Sequence, residues 1–224
     1  MPRPEPGASP DVSVVIAAHD AAETAAVAIR SALDQSGATV EVLLADDAST
    51  DATVETAGAA AQGDDRLRLL RRAVNGGPSA ARNDALAAAR GTWIAVLDAD
   101  DAFAPGRLAR LLDIAETTEA DIVADNLSRS TDPARADPAS DGTLLATGPA
   151  PALIEIDAAE WLSRNAPLGR GPALGYLKPM VRRRALAGLG YETCVRVGED
   201  FLLVLDLLLA GARMVATTEP RSEE

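Results

Sequence analysis

Three carboxylates fall within four residues at Asp98, Asp100 and Asp101, directly behind the apolar run 94–97. Acids this close repel one another and are costly to desolvate. A divalent cation would offset that repulsion. Magnesium or manganese takes a few carboxylate oxygens together with substrate phosphates, so the chemistry indicated is that of a metal-diphosphate. Two more polar clusters stand behind apolar runs: His19 and Asp20 after "VSVVIA", and Asp46, Asp47 and Asp51 after "VEVLLA". The competing reading of each cluster is a solvated loop whose acids cap helices. An EF-hand fits poorly, because Phe103 stands at the glycine position and Pro105 interrupts the loop. No GxGxxG follows the first apolar run, which counts against a dinucleotide site. His19 is the only histidine and Cys194 the only cysteine, so the ligands of a zinc site are lacking.

The elements that must position these acids are legible as apolar runs and helical periodicities. Val12–Ala17, Val40–Ala45 and Trp93–Leu97 are apolar runs rich in β-branched residues, as strands buried on both faces should be. "RLRLL" and "DIVAD" add two more strands. A helix is expected between the first two strands, opened by an Asp20–Glu23 capping box and stopped by Gly37. Thr50 or Asp51 can cap the next helix, and Pro78 starts the one before Gly91. "PGRLARLLDIAETT" is amphipathic helix, and further helices are expected near 157–164 and 198–210. This alternation predicts an α/β fold with a doubly wound, mainly parallel sheet. Ligands of such sheets bind beyond the carboxyl ends of the strands, so the three acidic clusters should meet on one rim.

The chain has 224 residues, 47% of them hydrophobic but only 3% aromatic, which predicts one globular domain with a core of Ala, Val, Leu and Ile. Residues 1–11 read as a flexible tail without the apolar centre of a signal peptide. Residues 12–127 form the orderly β-α half, 128–151 a loop excursion dense in Pro, Ser, Asp and Gly, and 152–224 a less regular second half. A net charge of −13 argues against nucleic acid as a partner. The lone cysteine allows no intrachain disulfide and fits a reducing, cytoplasmic compartment. "FLLVLDLLLAGA" is too short to span a bilayer, so a membrane role would be peripheral.

Four blocks stand in the order and spacing of a known family: "VSVVIAAHDAAETAAVAIRSALDQ", "VEVLLADDASTDAT", "NGGPSAARNDALAAARGTWIAVLDADD" and "VGEDFLLVLDLLLAGARM". Together they resemble family 2 glycosyltransferases with the GT-A fold, over most of residues 12–215. "DNLSRS", "LGYLKPMVRRRAL" and "YETCVRVGEDFLL" narrow the likeness to bacterial exopolysaccharide enzymes of the succinoglycan glucosyltransferase type. The resemblance implies an inverting transfer from a UDP-sugar, UDP-glucose on the narrower likeness. The acceptor would be a polysaccharide repeat or lipid-linked saccharide at the cytoplasmic face of the membrane. It implies magnesium or manganese as cofactor.

Roles carry over residue by residue. Ala17 and Ala18 lie where the family backbone meets the nucleotide, and Asp47 where a carboxylate accepts from the uracil N–H; a helix cap is the other reading of Asp47. Asp98 and Asp100 match the DxD motif, with Asp100 the direct metal ligand and Asp98 at the metal or the ribose. Asp101 is an auxiliary or capping acid. Arg82 lies near the nucleotide-sugar, either on a phosphate or in a salt bridge to the aspartates. Asp200 matches the catalytic base, with Glu199 as the alternative. Lys178 reaches acceptor or phosphate, or else lies on the surface, which is the expectation here. Trp161 and Tyr176 are expected to pack rather than to stack on sugar. Asp20 stands where the family usually has Asn. The chain stops at "VATTEPRSEE", where relatives continue with a segment that helps close the site, so the second half is expected to be short. Two other functions stand beside the transferase: a nucleotide-sugar-binding module without catalysis, and a metal-dependent phosphohydrolase. The latter is disfavoured because Ala102 replaces the Thr or Val of the phosphatase pattern.

Overall fold

A computed structural model describes residues 9–126, 152–166 and 174–220. The expected excursion at 128–151 and most of the expected tail lie outside these residues. Pro10 is buried, and Asp11 exchanges hydrogen bonds with Thr39, so the chain is tied to the sheet from there on.

The described strands and helices run β1 (Val12–Ala18), α1 (Ala25–Leu33), β2 (Val40–Asp46), α2 (Thr53–Ala61), β3 (Leu67–Arg71), α3 (Pro78–Ala88), β4 (Trp93–Asp98), α4 (Arg107–Thr118), β5 (Ile122–Asn126), β6 (Leu153–Ile156), α5 (Ala158–Asn165), β7 (Met180–Arg182), α6 (Arg183–Leu186), α7 (Glu199–Leu209) and β8 (Met214–Pro220). The eight strands form one sheet in the order β3-β2-β1-β4-β7-β5-β8-β6. β1, β2, β3 and β4 are mutually parallel, and β8 is parallel to β5. β7 and β6 run antiparallel to their neighbours. The second half therefore completes the same sheet.

Successive side chains of a strand point to opposite faces, and both faces of this sheet are covered. Val12, Val14 and Ile16 of β1 pack with Val42 and Leu44 of β2 against α1, α2 and α4. Val15, Leu43, Ala45, Ile94 and Val96 face α3, α5 and α7 across the other core, which holds Trp161. Burying each such aliphatic contributes about 1.5–3 kcal/mol. Small alanines on α1 and α3 bring those helices close to the sheet.

Some expected caps do not form. Helix α1 starts at Ala25, not at Asp20. Asp20 takes a left-handed conformation (φ 49°), and its carboxylate accepts from the Thr50 N–H at 2.7 Å and the Asp51 N–H at 3.3 Å. It pins the loop after β2 to the loop after β1, a tertiary use of the carboxylate that displaces the local box. Gly37 lies beyond the end of α1 in a turn with φ 76°, where an added Cβ would meet Ala109 at 2.8 Å. The N-cap of α2 is Ala52 rather than Thr50 or Asp51, and α3 ends at Ala88, ahead of Gly91. Pro78 opens α3, and Asp157 caps α5 by accepting from the Glu160 N–H at 2.7 Å.

Candidate active site

Strand register brings the clusters together. Ala17 pairs with Asp98 and Ala18 with Asp46, so the ends of β1, β2 and β4 form one rim. The apolar runs end there because buried strands cannot carry unpaired charge. Asp98 is where β4 meets solvent.

Beyond the rim, two cations gather the carboxylates. The Arg82 guanidinium, from the buried face of α3, reaches Asp98 at 2.8 Å and Glu199 at 2.9 Å, with Asp200 at 3.8 Å. Lys178 Nζ lies 2.8 Å from Asp98 Oδ2 and 2.7 Å from Asp200 Oδ2. Its side chain is only 14% exposed, which corrects the expectation of a surface lysine. Nothing local to "GYLKPM" marks it as buried; it becomes so because Pro179 and β7 turn the segment between β4 and β5. Glu199 and Asp200 occupy the first turn of α7, where the helix dipole favours acids.

The charges tune one another. Burial penalises the Asp98 carboxylate, but Lys178 and Arg82 outweigh it and hold its pKa below the ordinary value. Burial likewise works against the Lys178 ammonium, and Asp98 and Asp200 overcome it, raising its pKa. Arg82 is shifted the same way, its desolvation outweighed by Asp200, Asp98 and Glu199. Arg82 thus takes the salt-bridge alternative, and it is bound to the acids of both halves.

Asp100 is exposed and Asp101 half-buried. The Asp101 N–H donates to the Asp98 carbonyl at 3.1 Å, closing the turn. One oxygen each of Asp98, Asp100 and Asp101 lies within 4.8 Å of the others, a hard-oxygen set that suits magnesium or manganese. Around this centre two cations, Arg82 and Lys178, face five carboxylates. The surplus is negative and would be reduced by a divalent ion.

Asp47 is 3% exposed and its carboxylate accepts from the N–H groups of Gly76 (2.9 Å) and Gly77 (2.7 Å), with Arg72 Nε at 2.9 Å. It braces the glycine turn that opens α3. The helix-cap reading of Asp47 is not what the structure has; the N-cap of α2 is Ala52, and Asp51 only closes a turn before it, accepting from the Thr53 N–H at 2.9 Å. His19 sits exposed beside Asp20, 3.6 Å away. Trp161 is fully buried, donates through Nε1 to the Phe201 carbonyl at 3.1 Å and stacks on the Phe201 ring. It packs, as expected. The Tyr176 side chain lies outside the described residues.

Three features have no counterpart in the motif reading. Tyr191 is buried beneath Arg82, whose guanidinium carbon lies 5.2 Å from the ring centre. Asn83 binds the backbone of Tyr191 at both its N–H and its carbonyl. Arg107 and Asp125 form a bidentate pair with side chains 0% and 2% exposed, and Arg107 also donates to the Lys178 carbonyl at 2.7 Å. The Arg107 guanidinium lies 4.6 Å from the Phe103 ring centre. One buried arginine thus ties the loop after the acid cluster to the backbone that carries Lys178. The available signal was weak: an arginine opening α4 and an aspartate behind the apolar start of β5.

Comparison with known proteins places this arrangement. Residues 13–173 match the model of Glycosyl transferase family 2. Two proteins of Rhizobium meliloti (strain 1021) are each 41% identical over 91% of this chain: the succinoglycan biosynthesis protein ExoO, of which 57% is covered, and ExoU, of which 58% is covered. The chain thus spans somewhat over half the length of these curated relatives. Among solved structures, S. aureus TarS 1–349 in complex with UDP superposes with a TM-score of 0.71 at 18% identity, covering 92% of this chain and 57% of that one. The mannosyltransferase PcManGT from Pyrobaculum calidifontis, in complex with GDP-Man and Mn2+, gives 0.64 at 21%, covering 97% and 56%. The shared fold is GT-A. By the match over most of its length, the chain belongs to glycosyl transferase family 2.

Proposed function

We propose that this chain carries the transfer site of an inverting, metal-dependent glycosyltransferase that moves glucose from UDP-glucose to a saccharide or lipid-linked saccharide acceptor in exopolysaccharide biosynthesis. One observation carries the reading: Lys178 bridges Asp98 of the DxD rim and Asp200 of α7, which supports a donor side and an acceptor side that meet there. The donor class and acceptor rest on the likeness to ExoO and ExoU, and the nucleotide on the UDP complex of TarS.

In this reading the uridine lies along the ends of β1 and β2, against Ala17, Ala18 and the remaining lone pairs of Asp47. Asp100, helped by Asp98 and Asp101, would hold a magnesium or manganese ion, whose chemistry is to neutralise charge on the diphosphate leaving group. Arg82 fixes Asp98 and Glu199. Asp200 takes the proton of the acceptor hydroxyl while that oxygen bonds to the anomeric carbon; the bond from that carbon to the β-phosphate oxygen breaks, and UDP leaves on the opposite face. Glu199 serves Arg82 and is the weaker candidate for base. Lys178 keeps the two carboxylates together and supplies positive charge beside the diphosphate. Peripheral attachment to the cytoplasmic face would bring the site to a lipid-linked acceptor; no described helix is long and apolar enough to cross a membrane.

The test is transfer of labelled glucose from UDP-glucose to a lipid fraction bearing the unfinished repeat. Asp200→Asn should lose about 10²–10⁴-fold in rate while still binding UDP. Transfer by Asp200→Asn at the wild-type rate would remove Asp200 as base.

A further inference from the structure

Tyr191 is 6% exposed, in the loop between α6 and α7, and both faces of its position are built. Asn83, next to Arg82 on α3, donates from Nδ2 to the Tyr191 carbonyl and accepts at Oδ1 from the Tyr191 N–H, both at 2.8 Å. The preceding residue has to be glycine, because a Cβ at Gly190 would stand 2.8 Å from Asn83 Oδ1. The ring lies under the Arg82 guanidinium, which itself stands 3.8 Å from the Asp200 carboxylate. Behind it is a cavity of about 20 Å³ lined by Leu86, Val96, Leu203 and Val204 together with Lys178 and Asp200. That wall is apolar, so apart from the two cations the hydroxyl is the polar group offered to the buried side of Asp200. Burial foremost, and then Asp200, push the phenol well above its ordinary pKa, which keeps it a donor at every physiological pH.

We propose that Tyr191, clamped by Asn83, is a positioning residue for the Asp200 carboxylate. Its O–H holds one side of the carboxylate so that a lone pair faces the acceptor. This rests on the reading of Asp200 as the base. The short motif "ARND" then has two jobs one residue apart: Arg82 gathers the acids, and Asn83 fixes the loop that aims one of them.

Tyr191→Phe removes the hydroxyl and keeps the ring. It should lower kcat at least tenfold, leave KM for UDP-glucose within about twofold, and leave UDP binding unchanged. Asn83→Asp keeps the acceptor to the Tyr191 N–H but loses the donor, and should show the same split more weakly. In the Asp200→Asn background, Tyr191→Phe should have no further effect. A merely structural role would lower the yield or melting temperature of Tyr191→Phe without this split. Wild-type kcat in folded Tyr191→Phe would overturn the proposal. If the wild-type protein binds UDP but transfers no sugar, the transferase reading fails separately. The contact is then read from urea unfolding of Tyr191→Phe, Asp200→Asn and the double variant. Losses that fall short of additive support the Tyr191–Asp200 contact, and strictly additive losses overturn it.

Discussion

A lysine between two aspartates, with a second cation on the same acids, makes Asp98 a carboxylate with both oxygens engaged. Lys178→Met would leave Asp98 and Asp200 facing each other with Arg82 as their remaining shared cation. Transfer should fall by about 10²-fold, the scale for losing one preorganised charge at a reacting centre. Lys178→Arg should recover part of it, the guanidinium being a bulkier donor on the same carboxylates. Equal rates for Lys178→Met and wild type in a UDP-release assay would contradict this role. At this scale the sequence was informative in one direction. Asp98 is legible from the acid cluster behind an apolar strand, and Asp200 from the family resemblance, since a first-turn acid alone is what any helix dipole favours. Lys178 and Tyr191 are not legible, because their surroundings are assembled from other elements, Asp98 and Arg107 for Lys178 and Arg82 and Asn83 for Tyr191, which no local pattern encodes.

Elements are held in place by two buried charge centres away from the rim. Arg107 and Asp125 couple the start of α4 to β5 and to the segment bearing Lys178. Removing one partner leaves an uncompensated buried charge, so Asp125→Leu should cost about 3–5 kcal/mol in urea unfolding. Arg107→Met with Asp125→Leu should cost less than Asp125→Leu alone. Glu41, in β2, accepts from Ser13 of β1 at 2.7 Å and from the Arg90 N–H at 2.7 Å, and pairs with Arg68 of β3 at 3.0 Å. Burial pushes its pKa up, but these donors outweigh it and hold it below the ordinary value near 4.5. The ionised form is therefore the stabilising one. Its contribution is complete above that ordinary value and is lost as pH falls through the lowered one. Glu41→Gln should cost about 2–3 kcal/mol at pH 7 and much less at pH 3, measured by unfolding at both. The long strands and α3, α4 and α7 were legible from apolar runs and caps. β6 and β7 were not: at four and three residues they are too short to show a period, and they exist because neighbouring strands offer open edges.

Across the whole molecule, the sheet order explains why acids distant in sequence act together. β1 lies between β2 and β4, so the loops after all three share one rim, and β7 inserts beside β4 to bring Lys178 to it. The alternation of strands and helices made that rim predictable; the antiparallel insertion of β7 was not, since it depends on long-range pairing with both β4 and β5. An acidic chain with a cationic pair buried among its acids should bind a nucleotide diphosphate only when further positive charge is supplied. The most direct measurement is calorimetric titration of UDP and UDP-glucose into the wild-type protein and Asp100→Ala, with manganese and then with EDTA. Binding should require manganese and be lost in Asp100→Ala. Equal binding in EDTA, or in Asp100→Ala, would contradict a metal-held nucleotide-sugar at this rim.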